Sequence, residues 1–301
     1  MSNMWEDLWM KKQKKNVEFD FFKPYYIINH DDGTTTESIY DLKALLNHVA
    51  NNPLANTKKK ILGDNHLFHV CKKEKDSNIW EIQILHLREQ VLPGIADEDG
   101  AYELIKLSED QYPAESTTIL YDEDKCVLYM QRNIYGTSIK VLTGLLQLIS
   151  PEEVFVMLKP MMQYSEIDRV TSAKKHKTLH IAVDRELLIP EKKNTNLGKI
   201  ITAFSSYEGD IIEIKLGFGR KKGHFLNSTD TIELLKEVYE FPGTNKLKVD
   251  ILESEDSKIE KVDLLDDRRK FYIEMEYSRE NPITHERLYW RCLEEIRKAQ
   301  N

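Results

Sequence analysis

Glycine and proline are scarce in this chain, 12 and 9 of 301 residues, which argues against long flexible linkers. Cysteine is scarcer still. Cys71, Cys126 and Cys292 are odd in number and widely spaced, so they offer neither a disulfide framework nor a CxxC metal pattern. They read as reduced, buried structural residues. No apolar run reaches the length of a membrane span, the longest being of the size of VLTGLLQLI. The N-terminal MSNMWEDLWMKKQKK is amphipathic and contains acids, and it lacks the apolar core and small-residue cleavage site of a signal peptide. The expectation is therefore a cytoplasmic protein without membrane insertion. An excess of positive charge is also missing. A formal net charge of −8 excludes indiscriminate coating of nucleic acid by the whole surface, but not a local basic patch.

What is present is a globular composition, 41% hydrophobic and 31% charged, long enough for one large or two ordinary domains with their own cores. The pattern predicts an α+β fold: an N-terminal, mainly antiparallel sheet with packed helices, followed by a C-terminal α/β sandwich-like domain. Residues 1–16 read as a helical appendage, with Trp5, Leu8 and Trp9 along one edge. Residues 17–165 read as the sheet-rich domain and 176–301 as the α/β domain with a C-terminal helix. The polar SEIDRVTSAKKHK separates the two.

The alternation of VEFDFF predicts a half-buried strand. ESIYDLKALLNHVA places Ile39, Leu42, Leu45, Leu46 and Val49 on one helical face. HLFHVCKK and IWEIQILHLRE read as strands, and STTILYD and CVLYMQR as a hairpin around Asp122–Lys125. SIKVLTGLLQLI reads as a helix. Further on, TLHIAVD, DIIEIKLGF, KLKVDIL and RKFYIEMEY are strand patterns. LGKIITAFSSY and DTIELLKEVYEF are helical, the second with Asp230 as its expected N-cap. THERLYWRCLEEIRKAQ is a strong helix with Leu288, Cys292, Leu293 and Ile296 inward.

The best basic loop is GFGRKKGHF, where three glycines frame Arg220, Lys221, Lys222 and His224 between a strand and a helix. Such a loop can present cations and backbone N–H groups to phosphate. Its spacing matches neither a Walker loop nor GxGxxG. AKKHK adds Lys174 and Lys175 just before the first strand of the second half, and strand order suggests that the two clusters converge. With Arg132 they form the expected nucleic-acid-binding set.

The competing reading is a plain solvated surface. A second chemistry is a metal-dependent nuclease built on Asp184, Asp210, Glu213 and Lys215, since carboxylates beside a strand-borne Glu-x-Lys can hold Mg²⁺ and activate water. His66 and His69, three apart on a strand, point to opposite faces and make poor metal ligands. No metal or organic cofactor is expected. In VLYMQRNIYGTS, Gln131 and Asn133 suit a turn anchored by side-chain-to-backbone bonds. Arg132 suits the acids of YDEDK or a ligand phosphate, and Gly136 a left-handed turn before the helix.

LPGIADEDG, STTILYDEDKCVLYMQRNIYGTS and KVDLLDDRRKF together resemble a group of uncharacterised bacterial proteins of prophages and phage-defence loci. That group is distantly similar to KwaB, the DNA-binding subunit of the Kiwa anti-phage system, and to the phage lambda exclusion protein RexA. The resemblance spans roughly residues 80 to 270. It implies an intracellular protein that senses or binds nucleic acid during phage infection, with no known catalytic centre. The partners expected are DNA or RNA. The third reading is an adaptor or inhibitor encoded by a mobile element, with a partner protein or a second copy engaged through the N-terminal helix.

Overall fold

The computed structural model of the chain describes residues 13–30, 35–75, 77–89, 93–185, 194–219, 221, 223–254 and 257–298. In chain order they begin with β1 (Gln13–Asn29), β2 (Thr35–Ile39), α1 (Lys43–Asn51), β3 (Lys59–Ile61), β4 (Asp64–Lys73) and β5 (Ile79–Leu87). There follow β6 (Gly94–Ala96), β7 (Tyr102–Leu104), β8 (Ala114–Asp122), β9 (Val127–Gln131), α2 (Ile139–Ile149) and β10 (Phe155–Pro160). Next come α3 (Ser165–Ser172), β11 (Lys175–Asp184), α4 (Asn196–Ala203), β12 (Ile211–Gly217) and α5 (Ser228–Glu240). The last are β13 (Thr244–Leu252), β14 (Glu260–Asp263), β15 (Lys270–Tyr277) and α6 (His285–Lys298). Among the described residues no helix is long and apolar enough to cross a membrane.

The chain divides into two compact units. The first holds residues up to Ile27, Glu37–Leu158 and Lys270 onward; the second holds Ile28–Thr36 and Lys159–Arg269. The expected 176–301 segment is thus split, because β15 pairs antiparallel with β1, Val17 opposite Ile273. The expected helical appendage differs too: residues 13–16 extend β1, while residues 1–12, with Trp5 and Trp9, lie outside the described residues.

The first unit is built on a curled sheet ordered β10-β1-β9-β8-β5-β4-β3, with β15 and β2 joining β1. The β8–β9 hairpin closes with Asp122 opposite Val127, around the Asp122–Lys125 turn as expected. Residues 79–82 of β5 are buried in succession, so both faces of the sheet are covered. On one face Trp80, Ile82, Ile84, Ile119 and Tyr121 pack with Leu45, Leu46 and Val49 of α1 and Leu142, Leu145 and Leu146 of α2. Each such leucine contributes about 1.5–3 kcal/mol through burial. Against the other face packs α6, with Leu288, Tyr289, Cys292, Leu293 and Ile296 buried.

α1 starts later than its periodicity predicts. Ile39 is exposed at the end of β2, and the Tyr121 hydroxyl accepts from Leu42 N–H at 3.1 Å while donating to Asp41 at 3.0 Å. A side chain from β8 thereby marks where the helix begins.

The second unit carries a four-stranded sheet ordered β12-β11-β13-β14 in which every pairing is antiparallel. This makes it α+β and not the expected α/β arrangement. Alternation along the strands sends Leu179, Ile181, Val183, Ile212, Leu247, Val249 and Ile251 to one face. There they form a single core with Ile167 and Val170 of α3, Leu197 and Ile201 of α4, and Leu234, Leu235 and Val238 of α5. The N-cap of α5 is Asn227, which accepts from Thr229 and Asp230 N–H, so Asp230 sits inside the first turn instead of capping it.

α3 has no cap of its own; it follows Tyr164 in a left-handed conformation (φ 65°). Its exposed N–H groups are met from a distance by Asp267. That buried carboxylate accepts from Glu166 N at 2.9 Å, Ile167 N at 3.1 Å, the Ser165 hydroxyl at 2.7 Å and the Tyr239 hydroxyl at 2.9 Å. Burial pushes the Asp267 carboxyl up, but these donors outweigh it and hold it below the ordinary carboxylate range. Its stabilisation is therefore complete above that range and is lost as pH falls through the depressed folded value. Asp267→Ala leaves four donors unmatched and should cost about 2–4 kcal/mol in urea unfolding, with Asp267→Asn costing less and losing the acid limb of the profile.

Candidate functional site

The start of β11 and the end of β12 lie side by side, with Thr178 opposite Gly217. Beyond Gly217 the chain turns back along β11, and Leu226 N–H donates to His176 O at 2.8 Å. Two left-handed glycines, Gly219 (φ 60°) and Gly223 (φ 76°), make that turn possible where a side chain would be strained. The two basic segments therefore meet. Lys175 Nζ stands 4.7 Å from the centroid of the Phe225 ring, a cation–π contact. The rings of Phe218 and His224 face each other at 5.4 Å. Lys221 is exposed in the turn, and exposed Lys174 precedes β11 by one residue. Arg220 and Lys222 lie outside the described residues.

The same sheet holds a cationic feature that the loop motifs did not reveal. The strands' alternate residues point away from the helices and form cross-strand rows. Lys215 lies opposite His180, and His180 opposite Lys248; Glu213 lies opposite Ala182, and Ala182 opposite Lys246. Glu213 accepts from His180 Nε2 at 2.6 Å and from Lys246 Nζ at 2.5 Å, and Lys248 pairs with Asp263 at 2.6 Å. Hydrogen bonding from Lys246 first, and then from His180, holds the Glu213 carboxyl below its usual range. Among the described residues Lys177, Lys215 and Lys221 form no ion pair. The signal was present in KLKVDIL, whose alternation separates Leu247, Val249 and Ile251 from Lys246, Lys248 and Asp250.

This geometry bears on the nuclease set. Asp184 is buried at the end of β11 opposite Ile211, and Glu213 is already engaged by two cations. Among the described residues no three His, Cys, Asp or Glu side chains gather so as to hold a metal ion.

Arg132 belongs to the first unit. It pairs with Glu18 at 3.0 Å and Asp20 at 3.4 Å on β1, not with the acids of YDEDK, and its charge is neutralised there. Its neighbours build a turn. Gln131 Oε1 accepts from Thr118 N at 3.0 Å, and Asn133 donates to Ser116 O at 3.0 Å while accepting from Tyr135 N at 3.2 Å. Gly136 is not left-handed, contrary to expectation. Glycine is required because a Cβ would collide with the Thr117 hydroxyl and crowd Asn133.

Taken together, fold and site define a mixed α+β protein whose four-stranded antiparallel sheet, among the described residues, packs helices on one face and carries rows of lysines with His180, Glu213, Asp250 and Asp263 on the other. The chain belongs to a family of unknown function, DUF6731, whose model matches residues 12–299. A search of curated proteins finds no match.

Two histidines of the first unit, His285 and His66, are tied into its interior. His285 donates or accepts at Thr118 (2.9 Å) and Glu81 (3.0 Å), and burial lowers its pKa. His66 is buried and stacked on His86 with ring centroids 4.7 Å apart. Burial first, then repulsion from His86, push the His66 imidazole down to about 4. A depressed histidine stabilises the fold fully above its unfolded value near 6.5 and loses that contribution as pH falls toward the folded value. The expected loss is about 3 kcal/mol between those two values. His66→Gln should flatten this limb when urea midpoints at about pH 7.5 and about pH 4.5 are compared.

Proposed function

We propose that this protein is a non-catalytic, nucleic-acid-binding or sensing component of a bacterial phage-defence or prophage-exclusion system. The phage-defence part rests on the resemblance of the LPGIADEDG, STTILYDEDKCVLYMQRNIYGTS and KVDLLDDRRKF stretches. The binding part rests on one observation above all: the described residues of AKKHK and GFGRKKGHF lie against each other at one end of the β11–β12 pair, with Lys175 on the Phe225 ring. They extend the cationic rows of the same sheet. Lys177, Lys215 and Lys221 are the groups on which a phosphate backbone would act most directly, since no ion pair competes for them among the described residues. Arg132 drops out of the proposed contact set because Glu18 and Asp20 already hold it.

Phosphate contacts of this kind release counterions, so affinity should fall steeply with salt. The full-length protein should bind a labelled oligonucleotide at about 50 mM salt and lose most of that affinity by about 200 mM. Lys215→Ala and Lys221→Ala should each weaken binding and lower the log–log salt slope by about 0.7–0.9. Unchanged affinity and slope in the double variant would remove this face from the reading.

A further inference from the structure

The sheet of the first unit has an open edge at β15, which among the described residues pairs with β1 alone. An edge strand presents backbone N–H and C=O groups to any other strand, and folds usually blunt it with a proline, a bulge or a covering element. β15 contains no proline, and its register with β1 runs from Gln13 opposite Tyr277 to Asp20 opposite Lys270 without a shift. The direction of its backbone groups follows from the pairing. Arg132 N–H donates to Glu18 O at 2.8 Å on the β9 side of β1, away from β15. Alternation then turns the backbone groups of Lys15, Val17 and Phe19 toward β15, where they meet Met275, Ile273 and Phe271. Those of Lys270, Tyr272, Glu274 and Glu276 face outward. The Arg287 guanidinium donates to Glu276 O at 2.6 Å, as that direction requires, and so covers one end of the edge. Lys270–Glu274 is the open part.

The side chains along it have a particular symmetry. Ile273 and Met275 are buried, whereas Tyr272 is 53% exposed and Glu274 is exposed. The outer row therefore reads Lys270, Tyr272, Glu274. Turned end for end about Tyr272, it sets lysine against glutamate twice and tyrosine against tyrosine. A row of one sign would repel its own copy; this one matches it. Lys270 stands 3.8 Å from Glu18, and Glu274 pairs with Lys14 at 2.8 Å. An ammonium has three donors and a carboxylate two oxygens, so each can bond on both sides. We infer that β15 pairs antiparallel with β15 of a second copy about a two-fold axis through Tyr272, joining the two sheets edge to edge. A groove of about 490 Å³, lined by Met275, Trp290 and Arg291 among others, adjoins the strand and offers further contact area. A single strand pair is small beside the roughly 1,200–2,000 Å² of a stable interface, so the association is reversible and concentration-dependent.

Sedimentation velocity of the full chain, from low to high micromolar concentration, should show a monomer–dimer equilibrium. Glu274→Lys should raise its dissociation constant by about fivefold to thirtyfold, because two ion pairs become two repulsions. The double variant Lys270→Glu with Glu274→Lys should restore it, since both cross-axis pairs are then rebuilt with their signs exchanged. Tyr272→Cys should link two copies under mild oxidation, above the background of the three native cysteines, whereas Glu274→Cys should not, because its counterpart lies beyond disulfide reach. Equal melting temperatures check that the surface changes leave the fold intact. A monomer at every concentration would overturn the inference. So would a dimer that Glu274→Lys leaves unchanged and Tyr272→Cys does not link, since its contact would lie elsewhere.

Discussion

The second unit is organised around the buried carboxylate of Asp267. One side chain, at the end of a short 3₁₀ turn, meets two backbone N–H groups and a hydroxyl at the start of α3 and a second hydroxyl on α5. A buried ionised group is costly unless it is matched by donors, and here four donors match it. The negative charge also complements the positive end of the helix it caps. Because α3 and α5 both contribute to the core over β11 and β13, fixing their junction fixes the helical layer against one face of the sheet. The opposite face is thereby left for charge.

Much of the framework was legible because it is written in local period. α2 and α6 bury the residues their 3.6-residue repeat selects, while β5 and the β8–β9 hairpin were recognisable as short apolar runs bounded by turns and are buried in succession on both faces. α3 was not legible. It is eight residues long, starts from a left-handed tyrosine and borrows its cap from a residue about a hundred positions away. No local pattern encodes a partner at that distance. β1 was only partly legible for another reason. It buries Val17 and Phe19 on one parity and Phe22 on the other, so its 17 residues do not show one continuous alternation. The start of α1 belongs with these cases, since Tyr121 and not a residue of the helix marks it.

The site divides along the same line. The convergence of AKKHK with GFGRKKGHF could be anticipated from strand order, because both segments flank strands that were themselves recognisable. The extension of the cationic surface onto β13 required the register between β11 and β13, which includes irregularities that sequence does not announce. Arg132 shows the converse limit. Its residue type suited phosphate, yet what an arginine does is decided by the strand it lands beside, and Glu18 and Asp20 of β1 were invisible as partners until that pairing was known.

A net charge of −8 and a cationic surface are compatible once charge is followed locally. Glu213 does not simply cancel the face: its carboxylate is tied down by His180 and Lys246, and Lys215, in the same strand two residues on, forms no ion pair among the described residues. Exposed lysines without partners contribute little to folding, because surface ion pairs are themselves worth only about 0–1 kcal/mol. Stability therefore neither requires nor forbids the arrangement. What the fold does supply is placement: among the described residues the helices of the second unit pack on one face of its antiparallel sheet, and the strand register sets the side chains of the other face in fixed rows. A polyanion following those rows would find its charges spaced by the strands instead of by flexible loops, and that rigidity is what distinguishes a binding track from a merely charged surface.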